Sequence, residues 1–124
     1  MQVPILKQGD YLIASVQAAL SDADLLELRD QLAARVGRFR SRGVIVDVTA
    51  LDVIDSFSVR TLRAVAHIMR LRGAETVIVG IPPDVAFTMV QLGLTLEGVA
   101  TALDLEEGLV YLDDKIEGGR DGSR

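Results

Sequence analysis

Residues 43–63, which read GVIVDVTALDVIDSFSVRTLR, decide the fold of this chain. The apolar run 44–48 is interrupted only by Asp47, a pattern that predicts a strand buried on both faces. A polar loop follows and ends at Asp55, and hydroxyl and apolar residues then begin a helical pattern. A strand, a short loop and a helix N-terminus form the edge at which α/β proteins place ligands and phosphates.

Upstream of this stretch, the pattern predicts a hairpin and one long helix. Residues 3–8 and 11–16 are apolar runs separated by Gly9–Asp10, a strong turn signal. Apolar residues then recur at steps of three and four, which predicts a helix that begins near Ser21 and ends at Gly43. The arginines near its end can bind phosphate, but a solvated helix terminus explains them better.

Downstream, the pattern continues to alternate between helix and strand. The predicted elements are a second helix over 59–69, a strand over 76–80, a third helix from Pro83, a short strand near 99–102 and a fourth helix over 105–116. The order β-β-α-β-α-β-α-β-α predicts a single α/β domain with about four helices and a mostly parallel central sheet that has an antiparallel edge strand. We place this domain at residues 1–116 and expect the polar segment 117–124 to be a disordered tail.

Composition limits the partners and the chemistry. The net charge is −5 and aromatic residues make up only 4% of the 124 residues, so we expect neither nucleic acid nor an anionic membrane as a partner. The absence of cysteine excludes disulfides and thiolate sites. Without a signal peptide pattern or a membrane-length apolar run, the sequence predicts a cytoplasmic protein.

An enzyme is the less favoured hypothesis. Asp47, Asp52 and Asp55 can in principle hold Mg²⁺, but no lysine follows at a nearby strand end to complete a phosphoaspartate site. Glycine-rich phosphate-binding motifs are absent. The single histidine, His67, lies outside the apolar stripe of its helix, and Ser56 therefore has no evident general base. We expect no cofactor and no metal.

Ser56 has two interpretations on local pattern alone. A serine at a helix start can accept a phosphate, which the helix dipole and free N–H groups favour. That phosphate would add about −1.5 to −2 charges near Asp22, Asp52 and Asp55, so a partner on this rim would be repelled. Alternatively, Ser56 or Ser58 is only an N-cap worth about 1 kcal/mol.

The same residues indicate a family. Asp55-Ser56 follows an apolar strand and precedes an apolar helix, and this run resembles the STAS domain of anti-sigma factor antagonists. That family usually has glycine where this chain has Ser58. With Ser58 at this position and with residues 4–7, 80–83 and 102–106, the sequence resembles the RsbS-type proteins of the stressosome more than the simple antagonists.

The resemblance implies a function and partners. RsbS-type proteins assemble with RsbR-type STAS paralogues into a large cytoplasmic complex, which sequesters an RsbT-type serine kinase. The kinase uses ATP and Mg²⁺ to phosphorylate the serine of the Asp-Ser pair and is then released. By this resemblance Ser56 is the phospho-acceptor, Asp55 is its acidic neighbour, and Ser58 is either a cap or a second acceptor. The alternative is an antagonist that binds an anti-sigma kinase directly.

The sequence also leaves open which other residues bind a partner or a second copy of the chain. Phe57 is either the apolar part of a docking patch or a core residue, and the expected partner rim comprises Asp22, Asp52, Asp55, Phe57 and Ser58. Exposed apolar residues in segment 3–6 or on the third helix are candidates for self-association.

Overall fold

The computed structural model describes residues 3–120, which form a five-stranded sheet and four helices. The order of elements is the predicted one, and His67 is exposed as expected. The elements are β1 (Ile5–Gln8), β2 (Tyr11–Ser15), α1 (Asp22–Phe39), β3 (Gly43–Asp47), α2 (Ser56–Leu71), β4 (Glu75–Val79), α3 (Pro83–Gln91), β5 (Ala100–Ala102) and α4 (Leu105–Arg120).

The strands lie side by side in chain order, from β1 to β5. β1 and β2 are antiparallel, with Leu6 opposite Ile13, and the other pairs are parallel. The predicted mostly parallel sheet with one antiparallel edge strand is therefore confirmed. Because β2, β3 and β4 are parallel, their carboxyl ends and the loops that follow lie along the same edge of the sheet.

The hydrophobic core lies on both faces of the sheet. On one face, α1, α2 and α3 cover a large cluster that includes Val44 and Val46 of β3. On the other face, Leu112 of α4 packs in a smaller cluster with Ile45. β3 therefore sends alternate side chains into both clusters, as its apolar run predicted.

The end of α1 differs from the prediction. The helix begins as expected with a capping box, in which Ser21 Oγ accepts from the Asp24 N–H at 3.1 Å and Asp24 Oδ2 accepts from the Ser21 N–H at 3.1 Å. It ends at Phe39, where Arg40 takes a left-handed conformation with φ 51°. Gly43 instead is the first residue of β3. A side chain does not fit there, because a Cβ would approach Leu112 Cδ1 to 2.8 Å and Tyr11 Cδ1 to 2.9 Å.

The last helix also extends beyond the predicted boundary. The helical backbone of α4 continues from residue 116 to Arg120 and includes Gly118. A glycine lowers helix stability by only about 1 kcal/mol, so it does not by itself end a helix. Residues 121–124 of the predicted tail lie outside the described residues, and their disorder stays a prediction. None of the helices within 3–120 combines the length and apolar character needed to cross a membrane.

Leu112 is expected to hold α4 on the second face of the sheet. Its side chain has no exposed surface, so Leu112→Ala should lower the free energy of unfolding by about 2–5 kcal/mol in a urea titration. Val110→Ala is the matched control on the same helix, because Val110 is 59% exposed. Equal losses for the two variants would contradict this packing.

Candidate functional site

The loop between β3 and α2 is held in place by buried side chains and local hydrogen bonds. Leu51 and Ile54 are both buried in the large cluster. Asp47 Oδ1 accepts hydrogen bonds from the Thr49 N–H at 2.9 Å and from the Thr49 hydroxyl at 2.6 Å. Gly80 passes against this pair with φ 78°, and a Cβ there would overlap the Thr49 hydroxyl. The loop therefore has a fixed shape, with Asp47 as part of its framework.

The carboxylates of this edge do not form a metal site. Asp47 is bonded to Thr49, and Asp55 is bonded to the backbone of α2. Within residues 3–120, no three or more His, Cys, Asp or Glu side chains are grouped so that they could hold a metal ion. The hypothesis that Asp47, Asp52 and Asp55 together bind Mg²⁺ therefore has no support in the geometry.

Asp55 is the N-cap of α2. Its backbone is extended, with φ −87° and ψ 176°, and its Oδ1 accepts from the Ser58 N–H at 2.8 Å. This hydrogen bond is the main cause that holds the pKa of Asp55 below its usual value of 3.8, and a bond with the Ser58 side chain adds to it. The interpretation of Ser56 or Ser58 as the N-cap is therefore wrong. A carboxylate accepts the N–H bond at this position as well as a hydroxyl does.

The two serines differ in their surroundings. Ser56 is the first residue of α2 and is exposed, and its hydroxyl has no hydrogen-bond partner within residues 3–120. Ser58 is half-buried, and its backbone N–H donates to Asp55 Oδ1. Ser56 thus offers the freer hydroxyl to an incoming reagent. It also stands where the first N–H groups of a helix lack intrahelical partners.

The other predicted rim residues differ in exposure. Asp52 is exposed in the same loop. Asp22 is exposed as the first residue of α1, which follows β2, the parallel neighbour of β3. Phe57 is half-buried, so its role as a docking residue stays a prediction.

A small apolar cavity opens beside the cap and has no counterpart in the sequence patterns. Its volume is about 100 Å³, and it lies between the β2–α1 connection and the start of α2. Its walls are Val16, Ala19, Leu20, Leu25, Val48, Leu51, Val53, Asp55, Ser58 and Leu62. Because these residues come from two separate segments, 16–25 and 48–62, no periodicity within one segment indicates that they meet. We call this space the cap cavity.

Comparison with known proteins identifies the family. The family model described as the STAS domain matches residues 2–108. The chain belongs to the STAS family. The resemblance read from Asp55-Ser56 and its flanking elements is thereby confirmed.

Among curated proteins, the chain is similar to RsbT co-antagonist proteins of Bacillus subtilis (strain 168). It is 32% identical to RsbRA over 82 residues, which are 66% of this chain and 30% of that protein. It is 31% identical to RsbRD over 74 residues, which are 60% of this chain and 27% of that protein. The chain thus spans less than a third of the length of these relatives.

Among solved structures, the chain is similar to stressosome proteins over nearly its whole length. A serine-to-glutamate variant of Moorella thermoacetica RsbS superposes with a TM-score of 0.79 at 34% identity, and the match covers 93% of this chain and 97% of that one. A chain of a stressosome structure gives a TM-score of 0.73 at 32% identity, with coverage of 91% and 98%. Unphosphorylated SpoIIAA gives 0.67 at 14% identity, with coverage of 94% and 98%, and shares the fold.

The cap role of Asp55 predicts a pH-dependent contribution to stability. At neutral pH, Asp55→Ala should lower the free energy of unfolding by about 1 kcal/mol, and Asp55→Asn by much less. A carboxyl whose folded pKa is lowered stabilises the fold above its usual pKa of 3.8 and stops doing so as the pH falls through the lowered value. The gap between wild type and Asp55→Ala should therefore shrink in acid.

Chemical denaturation at several pH values measures this effect. Asp52→Ala is the control, because Asp52 is exposed in the same loop and does not cap α2. A gap for Asp55→Ala that stays constant down to pH values well below 3.8 would contradict the assignment of the cap.

Proposed function

We propose that this chain is a non-enzymatic scaffold and antagonist of the stressosome type. In this proposal it sequesters a serine/threonine switch kinase and releases it when Ser56 is phosphorylated. The observation that supports this most directly is the exposed, unbonded hydroxyl of Ser56 at the first position of α2, beside the Asp55 cap. The similarity to RsbS over 93% of the chain supports the scaffold role.

The position of Ser56 allows a phosphate without loss of the fold. Negative charge in the first turn of a helix is favoured by about 0.3–1 kcal/mol through the helix dipole. The hydroxyl is exposed and forms no internal hydrogen bond among the described residues, so its modification breaks no contact. A phosphate on Ser58 would instead lie beside the Asp55 carboxylate that accepts from the Ser58 N–H, and the two negative charges would oppose the cap. We therefore assign the switch to Ser56 and keep Ser58 as the secondary candidate.

Release follows from charge and hydration at the same edge. The phosphate would add about −1.5 to −2 charges next to the carboxylates of Asp52 and Asp55. A kinase holds nucleotide phosphates close to the acceptor hydroxyl, so the modified serine also repels the nucleotide site that modified it. The phosphate is bulky and strongly hydrated, which opposes close packing of the partner over this rim. Affinity for the kinase falls while the domain stays folded.

The proposed partners are an RsbT-like serine kinase, RsbR-like STAS paralogues and further copies of this chain, in a cytoplasmic assembly that regulates a stress response. The kinase supplies ATP and Mg²⁺, and this chain needs no cofactor of its own. The chain is similar to proteins named RsbT co-antagonists, which supports the proposal that its STAS paralogues act on the same kinase. Direct binding of an anti-sigma kinase is the second candidate, because the fold is shared with SpoIIAA.

Replacing each serine separately tests the assignment. Ser56→Ala should abolish phosphate incorporation by the cognate kinase and leave the unfolding midpoint nearly unchanged, since the Ser56 hydroxyl forms no internal bond among residues 3–120. Ser58→Ala is the matched control and should still be phosphorylated, as measured by intact mass. If Ser56→Ala is phosphorylated to the wild-type extent and Ser58→Ala is not, Ser58 is the acceptor.

Assembly is expected to use the apolar side chains that α3 leaves exposed. Phe87 is 66% exposed and Val90 is 79% exposed, one helical turn apart. In the segment 3–6, Val3 is buried, Ile5 is half-buried, and Leu6 is 60% exposed without a second exposed large aliphatic side chain beside it. We therefore place the self-association surface on α3.

A charge on α3 should disrupt assembly. Phe87→Asp is expected to shift the chain, mixed with an RsbR-like paralogue, from a large complex to the monomer volume on a sizing column. Val110→Asp, on the exposed side of α4, is the matched control and should leave the large complex intact. Unchanged elution of Phe87→Asp would exclude α3 as the assembly surface.

A further inference from the structure

The geometry points to the cap cavity as a socket for one aliphatic side chain of the sequestered kinase. This inference rests on the proposed function and adds a specific contact to it. The cavity is open to solvent at the edge of the sheet where Ser56 lies, and Asp55, which forms part of its wall, directly precedes that serine.

The side chains that line the cap cavity are mostly apolar. Eight of the ten lining residues are aliphatic, and the two others are Asp55 and Ser58. Val16, Val48 and Leu62 are buried, whereas Ala19 and Val53 are exposed. Val53 is 69% exposed and lies at the solvent side of the cavity wall. The occupant must therefore be apolar.

The cavity is large enough for one side chain but smaller than the usual pocket for a small molecule. Pockets for small molecules measure about 300–1,000 Å³, and an apolar cavity of roughly 150 Å³ holds a single benzene. The cap cavity measures about 100 Å³, which fits a branched aliphatic group of the size of leucine or isoleucine.

The polar groups of the wall lead to the same choice. Asp55 Oδ1 already accepts a hydrogen bond from the Ser58 N–H at 2.8 Å. A free small molecule needs a few convergent polar groups to fix its orientation, and only two of the lining side chains, Asp55 and Ser58, are polar. A side chain of a docked protein needs none, because its own backbone positions it.

The position of the cap cavity beside Ser56 indicates which protein would insert this side chain. Asp55 and Ser58 line the cap cavity and stand on either side of Ser56 in the sequence, so a kinase that brings its nucleotide to the exposed Ser56 hydroxyl docks at the same helix start. An apolar anchor in a pocket at the centre of such an interface typically provides much of the affinity. Full burial of a leucine-sized side chain corresponds to roughly a ten- to hundredfold gain in affinity. A hydrated phosphate on Ser56 would then lie at the mouth and oppose this insertion.

Filling the cavity tests the inference. Ala19→Leu adds three carbons at the exposed part of the wall, and Ala64→Leu is the matched control, because Ala64 is exposed on α2 and does not line the cavity. We expect the dissociation constant of the cognate serine kinase to rise at least tenfold for Ala19→Leu, and to change less than twofold for Ala64→Leu. Both variants should keep the wild-type unfolding midpoint.

The outcomes separate this inference from the proposed function. If wild type binds the kinase and Ala19→Leu binds it equally well, the socket is wrong and the proposed function stands. If wild type itself does not bind the kinase, the proposed function fails and the inference fails with it.

Xenon tests the cavity without any kinase. Methyl resonances of Val48 and Leu62 should shift under xenon in the wild-type protein and not in Ala19→Leu. Equal shifts in both proteins would show that leucine at position 19 does not fill the space and would overturn the socket geometry, as would a lack of shifts in the wild type.

Discussion

Strand β3 is buried on both faces, and the position of every functional group depends on this constraint. Val44 and Val46 pack under α1 and α2, while Ile45 packs against α4. A strand fixed from two sides cannot shift its register without exposing one of these sets. Its carboxyl end, and with it the start of the loop to α2, is therefore fixed. Leu51 and Ile54 are buried in the large cluster, so they anchor the loop that leads to Asp55.

Asp55 lies between the anchored loop and Ser56, the proposed phosphate acceptor. Its carboxylate caps α2 by accepting from the Ser58 N–H, which fixes the first turn of the helix. Ser56, the adjacent residue, remains exposed and unbonded among the described residues. In our proposal Asp55 provides stability and Ser56 accepts the phosphate, so a modification of Ser56 need not disturb the cap.

The order of elements could be predicted from the sequence because hydrophobic period 2 or 3.6 is a local signal that burial then reinforces. The end of α1 could not, because Arg40 adopts a left-handed conformation that is uncommon for a residue with a Cβ, and Gly43 is required for close packing under Leu112 and not for a helix stop. The pattern placed the start of α2 correctly, but the cap interpretation named Ser56 or Ser58, whereas the cap is Asp55, because which side chain reaches the free N–H depends on the local backbone geometry. The cap cavity could not be predicted at all, since its walls come from segments that are distant in sequence.

The central claim is that phosphate on Ser56 releases a partner without unfolding the domain. The most direct measurement is the dissociation constant of the cognate kinase for the unmodified chain and for the chain phosphorylated at Ser56, with the unfolding midpoint recorded on both samples. Our account predicts a dissociation constant at least tenfold higher after phosphorylation and midpoints that differ little. Equal dissociation constants, or weaker binding accompanied by a large fall in the midpoint, would contradict it.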